Sequence, residues 1–155
     1  MDGWLTSIIA VAGTLAGSSL TYLFGRLTAR RTERVARDER LRQEQIAAYT
    51  AFAGAMTDLR QAVISRWLTE QRDPDGPDGR AAWTESDKRG AAADHARFKV
   101  QMLTEDTELL QLADAAFEPI SALGKAAERS ELRMHEDRSQ AILTAFVQTA
   151  RRQLR

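Results

Sequence analysis

Residues 3–25, GWLTSIIAVAGTLAGSSLTYLFG, form an uncharged run of 23, and Arg26 then opens a basic stretch. At about 1.5 Å rise per residue a helix of that length reaches roughly 34 Å, enough to cross a hydrocarbon core of about 30 Å. A cleaved signal peptide would carry positive charge before its apolar core. Here the order is reversed, with Asp2 before the core and the arginines after it. A buried helix of a soluble domain is the remaining alternative, and 10 Gly, Ser and Thr among the 23 residues make the segment only moderately apolar. The absence of charge over the full length favours a transmembrane anchor over residues 1–25.

If the segment spans, its flanks orient it. Arg26, Arg30, Arg31, Arg34 and Arg37 follow the core and no basic side chain precedes it. The short N-terminus is therefore expected outside the cytoplasmic membrane and the rest of the chain in the cytoplasm. The same five arginines are candidate contacts for anionic lipid headgroups. Trp4 at one end and Tyr22 with Phe24 at the other lie where amphipathic rings favour the interface. Within the span, Thr6, Ala10, Gly13, Gly17 and Thr21 share one helical face and include a GxxxG pair, a strip through which a second copy could pack closely.

The formal net charge of zero hides a partition. Residues 1–25 carry −1, residues 26–42 carry +4 from seven Arg against three acids, residues 43–72 balance, and residues 73–155 carry −3. Residues 26–45 read as a basic, solvated helical stalk with few large apolar side chains, namely Leu27, Val35 and Leu41. The interleaved acids and the absence of aromatic residues in the stalk argue against nucleic acid as its partner.

Beyond the stalk the periodicity of a core-facing helix begins. Ile46, Tyr49, Phe52, Met56, Leu59, Val63 and Trp67 recur every three or four residues. DPDGPDG at 73–79 breaks the pattern, and residues 73–88 are expected to form an exposed loop. Ser86 or Asp87 is a candidate cap for a second helix, running to about Leu103, with Ala92, Ala96, Phe98 and Met102 as its apolar positions. A third helix opens near Thr104 and carries Leu109, Leu112, Ala116, Ile120, Leu123 and Ala127, with a kink expected at Pro119 because the stripe stays in phase across it. A fourth starts near Ser130 or Glu131 and carries Leu132, Ile142, Phe146, Ala150 and Leu154, with Leu143 and Val147 widening its face. The fold class expected is all-α: a single transmembrane helix, a helical stalk, and a three- to four-helix bundle over residues 46–155.

Chemistry has little to build on. With no Cys, thiol nucleophiles and Cys-ligated metals are excluded. His95 and His135 lack a second His at helical spacing and read as exposed helical residues. No phosphate loop or nucleophile elbow is present, so neither catalytic residues nor a cofactor or metal is expected.

The passage TARRTERVARDERLRQEQIAAYTAFAGAMTDLRQAVISRW resembles the actinobacterial KilB-like proteins, small membrane-associated proteins linked with plasmid spread. The likeness rests on the uncharged span, on ARDERLRQE at residues 36–44 and on AYTAFAGAMTDLR at residues 48–60. It implies an accessory role in plasmid transfer and brings no catalytic residues. The function expected is that of a non-enzymatic membrane-anchored scaffold or adaptor, its partners being membrane lipids, a second copy and a cytoplasmic protein. The alternative is a membrane-tethered sensor that binds a small ligand in the bundle.

Overall fold

The computed structural model describes residues 3–72 and 76–154, with side chains described from residue 33 onward. Five helices account for it: α1 (Gly3–Glu70), α2 (Pro77–Leu103), α3 (Thr107–Ala115), α4 (Phe117–Leu123) and α5 (Arg129–Gln153), and no strand occurs among the described residues. The all-α expectation therefore holds. Among the described residues no helix is long and apolar enough to cross a membrane. The anchor expected at residues 1–25, with Thr6, Ala10, Gly13, Gly17 and Thr21, lies outside the residues whose side chains are described, as do Arg26, Arg30 and Arg31.

The chain divides into two compact units, Met1–Leu41 and Arg42–Arg155. In the first, the described side chains at 33–41 are all exposed, Arg34 and Arg37 included, as a charged stalk with few apolar residues requires.

The second unit is a helical bundle. From α1, the stripe Tyr49, Phe52, Met56, Leu59, Val63 and Trp67 is buried, so the 3.6-residue period was read correctly from Tyr49 on. It runs antiparallel to α5: the Tyr49 hydroxyl donates to Gln153 Oε1 at 2.9 Å, the Phe52 and Phe146 rings lie 4.8 Å apart, and Arg60 Nη1 donates to Gln140 Oε1 at 2.6 Å. At the far end of the stripe the Trp67 indole N–H donates to the Ala126 carbonyl at 2.7 Å, tying α1 to the turn after α4.

Four local expectations are corrected. The loop at 73–88 gives way to helix from Pro77, because proline at a helix's first position needs no N–H partner and has its φ already set. Ser86 is then a buried residue inside α2 and not its cap. The core face of α2 is Ala93, Ala96 and Val100, whereas Ala92 is exposed and Phe98 and Met102 are 51% and 76% exposed. Small side chains at the contact seat α2 against the bundle, and a Cβ on Gly90 would make an ordinary van der Waals contact with Leu59 Cδ1 at 3.9 Å. Three further positions expected in the core are exposed: Ile46 at one end of the α1 stripe, Val147 on the widened face of α5, and Ala127 beyond α4.

The bend near Pro119 comes three residues earlier. Helix α3 ends at Ala115 and α4 begins at Phe117, which leaves Pro119 in the first turn of α4, where the missing N–H would have had no intrahelical acceptor. Helix α3 opens at Asp106, whose Oδ1 accepts the Leu109 N–H at 2.8 Å, two residues after the Thr104 that the sequence suggested. Leu109, Ala113, Ile120 and Leu123 complete the core with Leu132, Leu143, Phe146 and Ala150 of α5, which starts at Arg129.

Candidate functional site

The antiparallel pairing of α1 and α5 leaves a long open groove between the two helices, floored in part by the core. Its first stretch, of about 520 Å³, is lined by Arg42, Ile46, Tyr49, Thr50, Ala53, Phe146, Val147, Ala150, Arg151 and Leu154. A second stretch, of about 550 Å³, continues past Gly54, Thr57 and Asp58 on α1 and Gln140, Leu143, Thr144 and Gln148 on α5. Thr50, Ala53 and Val147 line both stretches, which makes the groove continuous. Ile46 and Val147, expected in the core, are 43% and 48% exposed along it. They are apolar because they line a surface channel, not because they fill the interior.

The floor is shaped by small residues. A Cβ placed on Gly54 would meet nothing within 4 Å, so no described side chain covers that position. Beneath the first stretch a polar network holds the helix ends in register. Gln153 accepts from Tyr49 and donates through Nε2 to Thr104 Oγ1 at 2.6 Å, while Gln45 Nε2 donates to the Leu103 carbonyl at 2.7 Å. Burial pushes the Tyr49 phenol above its ordinary value, so it stays a neutral donor there.

Charge is distributed unevenly along the groove. Arg42 and Arg151 flank one end, and Arg151 makes no ion pair among the described residues. At the other end Asp58 is held by Arg89 Nη1 at 2.9 Å. Arg89 also bonds Glu85 through Nε at 2.6 Å and holds that carboxyl below its ordinary value. The neighbouring polar hollow lined by Asp58, Gln61, Ser65, Glu85 and Arg89 thus holds its acids in ion pairs, and no carboxyl there is poised for acid–base work.

Of the candidate contact residues named from the sequence, only Arg34 and Arg37 have described side chains; both lie exposed on α1 and neither lines the groove. His95 is exposed as expected. His135 is not: its side chain is only 14% exposed, with Nε2 3.8 Å from Glu131 Oε1 and Nδ1 buried without a hydrogen-bond partner. No group of three His, Asp or Glu that could hold a metal occurs among the described residues. The one sequence signal for the groove was an excess: Ile46 and Val147 give α1 and α5 more apolar surface than the opposing helices can cover.

Comparison with known proteins agrees with the motifs. The family model described as KilB plasmid transfer protein matches residues 46–154, the compact bundle almost entire. Protein KilB of Streptomyces lividans is 34% identical over 151 residues, covering 96% of this chain and 97% of that protein. No solved structure matches the chain. The family match over most of the bundle and the end-to-end relative agree, and the chain belongs to the KilB family.

Proposed function

We propose that this protein is a non-enzymatic, membrane-anchored adaptor with an accessory role in plasmid transfer. The observation that carries the reading is the continuous α1/α5 groove, lined largely by apolar side chains and open to solvent. A surface of that kind serves association with another macromolecule. A site for a small sensed ligand would enclose it, and this groove stays open. The family's description as a plasmid transfer protein supplies the process.

The anchor in this proposal is the uncharged run at residues 3–25, with the arginines from Arg26 to Arg37 on the cytoplasmic side of the membrane and in contact with anionic headgroups. The bundle then faces the cytoplasm, and the strip Thr6, Ala10, Gly13, Gly17 and Thr21 pairs two copies. Two experiments test it. The full chain should resist alkaline carbonate extraction from membranes, and recovery in the soluble fraction refutes the anchor. Val147→Glu places a charge in the groove at a half-exposed position. It should lower plasmid transfer with the helical melting curve unchanged, and unimpaired transfer refutes the adaptor role.

A further inference from the structure

We infer that the outer face of α2 pairs with the same face of a second copy of this chain, the two helices running parallel. The contact is separate from the strip in the uncharged run, and it rests on the anchoring proposed above only for the concentration at which copies meet.

Thr84, Lys88, Ala91, His95, Phe98 and Met102 follow one another at spacings of 4, 3, 4, 3 and 4, the heptad seam of a helix that packs along another. All six are exposed, Phe98 to 51% and Met102 to 76%. They lie opposite Ala93, Ala96 and Val100, so the bundle and the seam use different sides of α2. Ala91, Phe98 and Met102 supply the apolar contact. Lys88 and His95 recur at one heptad position and weaken it, in the way that a polar residue there fixes register and strand number at a cost in stability. One short helix per copy is less surface than free monomers need for a stable dimer. Two chains held in one membrane meet at a raised effective concentration, where a contact of this size suffices.

Charge selects both the occupant and its direction. Asp87 and Asp94 border the seam on one edge, and Lys88 and Lys99 lie toward the other. Neither Asp87 nor Lys99 has an ion pair among the described residues. Asp94 has Arg97 at 3.0 Å but is half exposed, so a second cation can reach it. In a parallel pair the acidic edge of each copy meets the basic edge of the other, and Asp94 faces Lys99 of the other copy twice, at the five-residue offset of flanking heptad positions. In an antiparallel pair each edge meets itself, acids against acids and lysines against lysines. The strip is thus complementary to its own copy in one direction only.

The test uses the absence of cysteine from the chain, since a single introduced thiol then reports one position. Full-length Thr84→Cys, Ala91→Cys and Asp137→Cys are oxidised with copper phenanthroline in the membranes of expressing cells and run without reductant. All three positions are exposed, and position 137 lies on α5. Thr84→Cys and Ala91→Cys should each give a disulfide-linked dimer, and Asp137→Cys at least about fivefold less. Adding Lys99→Asp to Ala91→Cys should cut the dimer yield about fivefold, and adding Asp94→Lys as well should restore it. Equal yields at 91 and 137 overturn the inference, because tethering alone then explains the dimer. A loss that Asp94→Lys fails to restore overturns it too, as does a product from Thr84→Cys mixed with Met102→Cys but none from Thr84→Cys alone, the signature of antiparallel helices. Carbonate extraction of the same membranes reads the anchor separately. A chain that extracts yet crosslinks at 84 and 91 loses the anchor and keeps the α2 contact, and one that stays in the membrane without those crosslinks keeps the anchor and loses the contact.

Discussion

Trp67 offers the sharpest test of how the bundle is held together. Its side chain is buried, and its indole N–H donates to the Ala126 carbonyl at 2.7 Å from 59 residues away. In Trp67→Phe the ring still fills most of the site but the donor is gone. Leaving a buried carbonyl without that partner costs about 1–3 kcal/mol. The volume lost, roughly 40 Å³ at about 24 cal/mol per Å³, adds about 1 kcal/mol. Together these are about 2–4 kcal/mol, a large part of the roughly 5–15 kcal/mol that a domain commonly has. Urea denaturation of the full chain in detergent, followed by helical circular dichroism, should show the midpoint lowered by about 1–2 M with the slope unchanged. Trp83→Phe is the control: Trp83 is about half exposed and stacks under the Arg66 guanidinium at 3.9 Å, worth below about 1 kcal/mol. If Trp67→Phe cost no more than that control, water would be satisfying the Ala126 carbonyl, and the tie between α1 and the α4–α5 turn would have no energetic weight.

Other perturbations reach different parts of the molecule. Asp106→Ala removes the acceptor for the Leu109 N–H and should lower stability by about 1 kcal/mol, read as a lower melting temperature, with Asp106→Asn retaining most of it. Arg89 holds Glu85 below its ordinary carboxylate value, so the pair's stabilisation is complete above that ordinary value and is lost as pH falls through the lowered one. Glu85→Gln should therefore lower stability slightly at neutral pH, leave the most acidic values unchanged and so flatten the acid limb of a stability–pH profile, and an unaltered acid limb would count against the pair. Gly13→Leu and Gly17→Leu should reduce self-association in a transmembrane reporter assay, and an unchanged signal would remove that strip as a contact.

Legibility in the sequence followed how local the determining physics was. The α1 stripe from Tyr49 to Trp67 could be read because five successive spacings of three or four admit one helical face. Pro119 announced a break, yet its position at Ala116 depends on where a missing N–H is harmless. Pro77 was misread for a related reason: proline both ends helices and begins them, and only the chain on its C-terminal side decides which. On α2, size misled. The large apolar residues Phe98 and Met102 face outward, and the helix is seated by Ala93, Ala96 and Val100, whose burial reflects close approach and not hydrophobicity alone. The groove was the least legible feature. Ile46 and Val147 have the side chains of core residues, and only the placement of the neighbouring helices shows that the bundle leaves them nearly half exposed.

The pairing of α1 with α5 also governs how the chain is made. Tyr49 and its partner Gln153 are separated by 104 residues. At about 5–20 residues per second, the first helix of the bundle waits roughly 5–20 s on the ribosome for the last. During that interval Tyr49, Phe52 and Met56 have no α5 to cover them, although α1 is complete. The nascent stripe is a surface for chaperones or for a second nascent chain, and every other helix must be synthesised before it closes. Loss of the final turns of α5 would prolong that exposure indefinitely: a truncated product would keep the whole of α1 and present its apolar stripe without the helix that pairs with it.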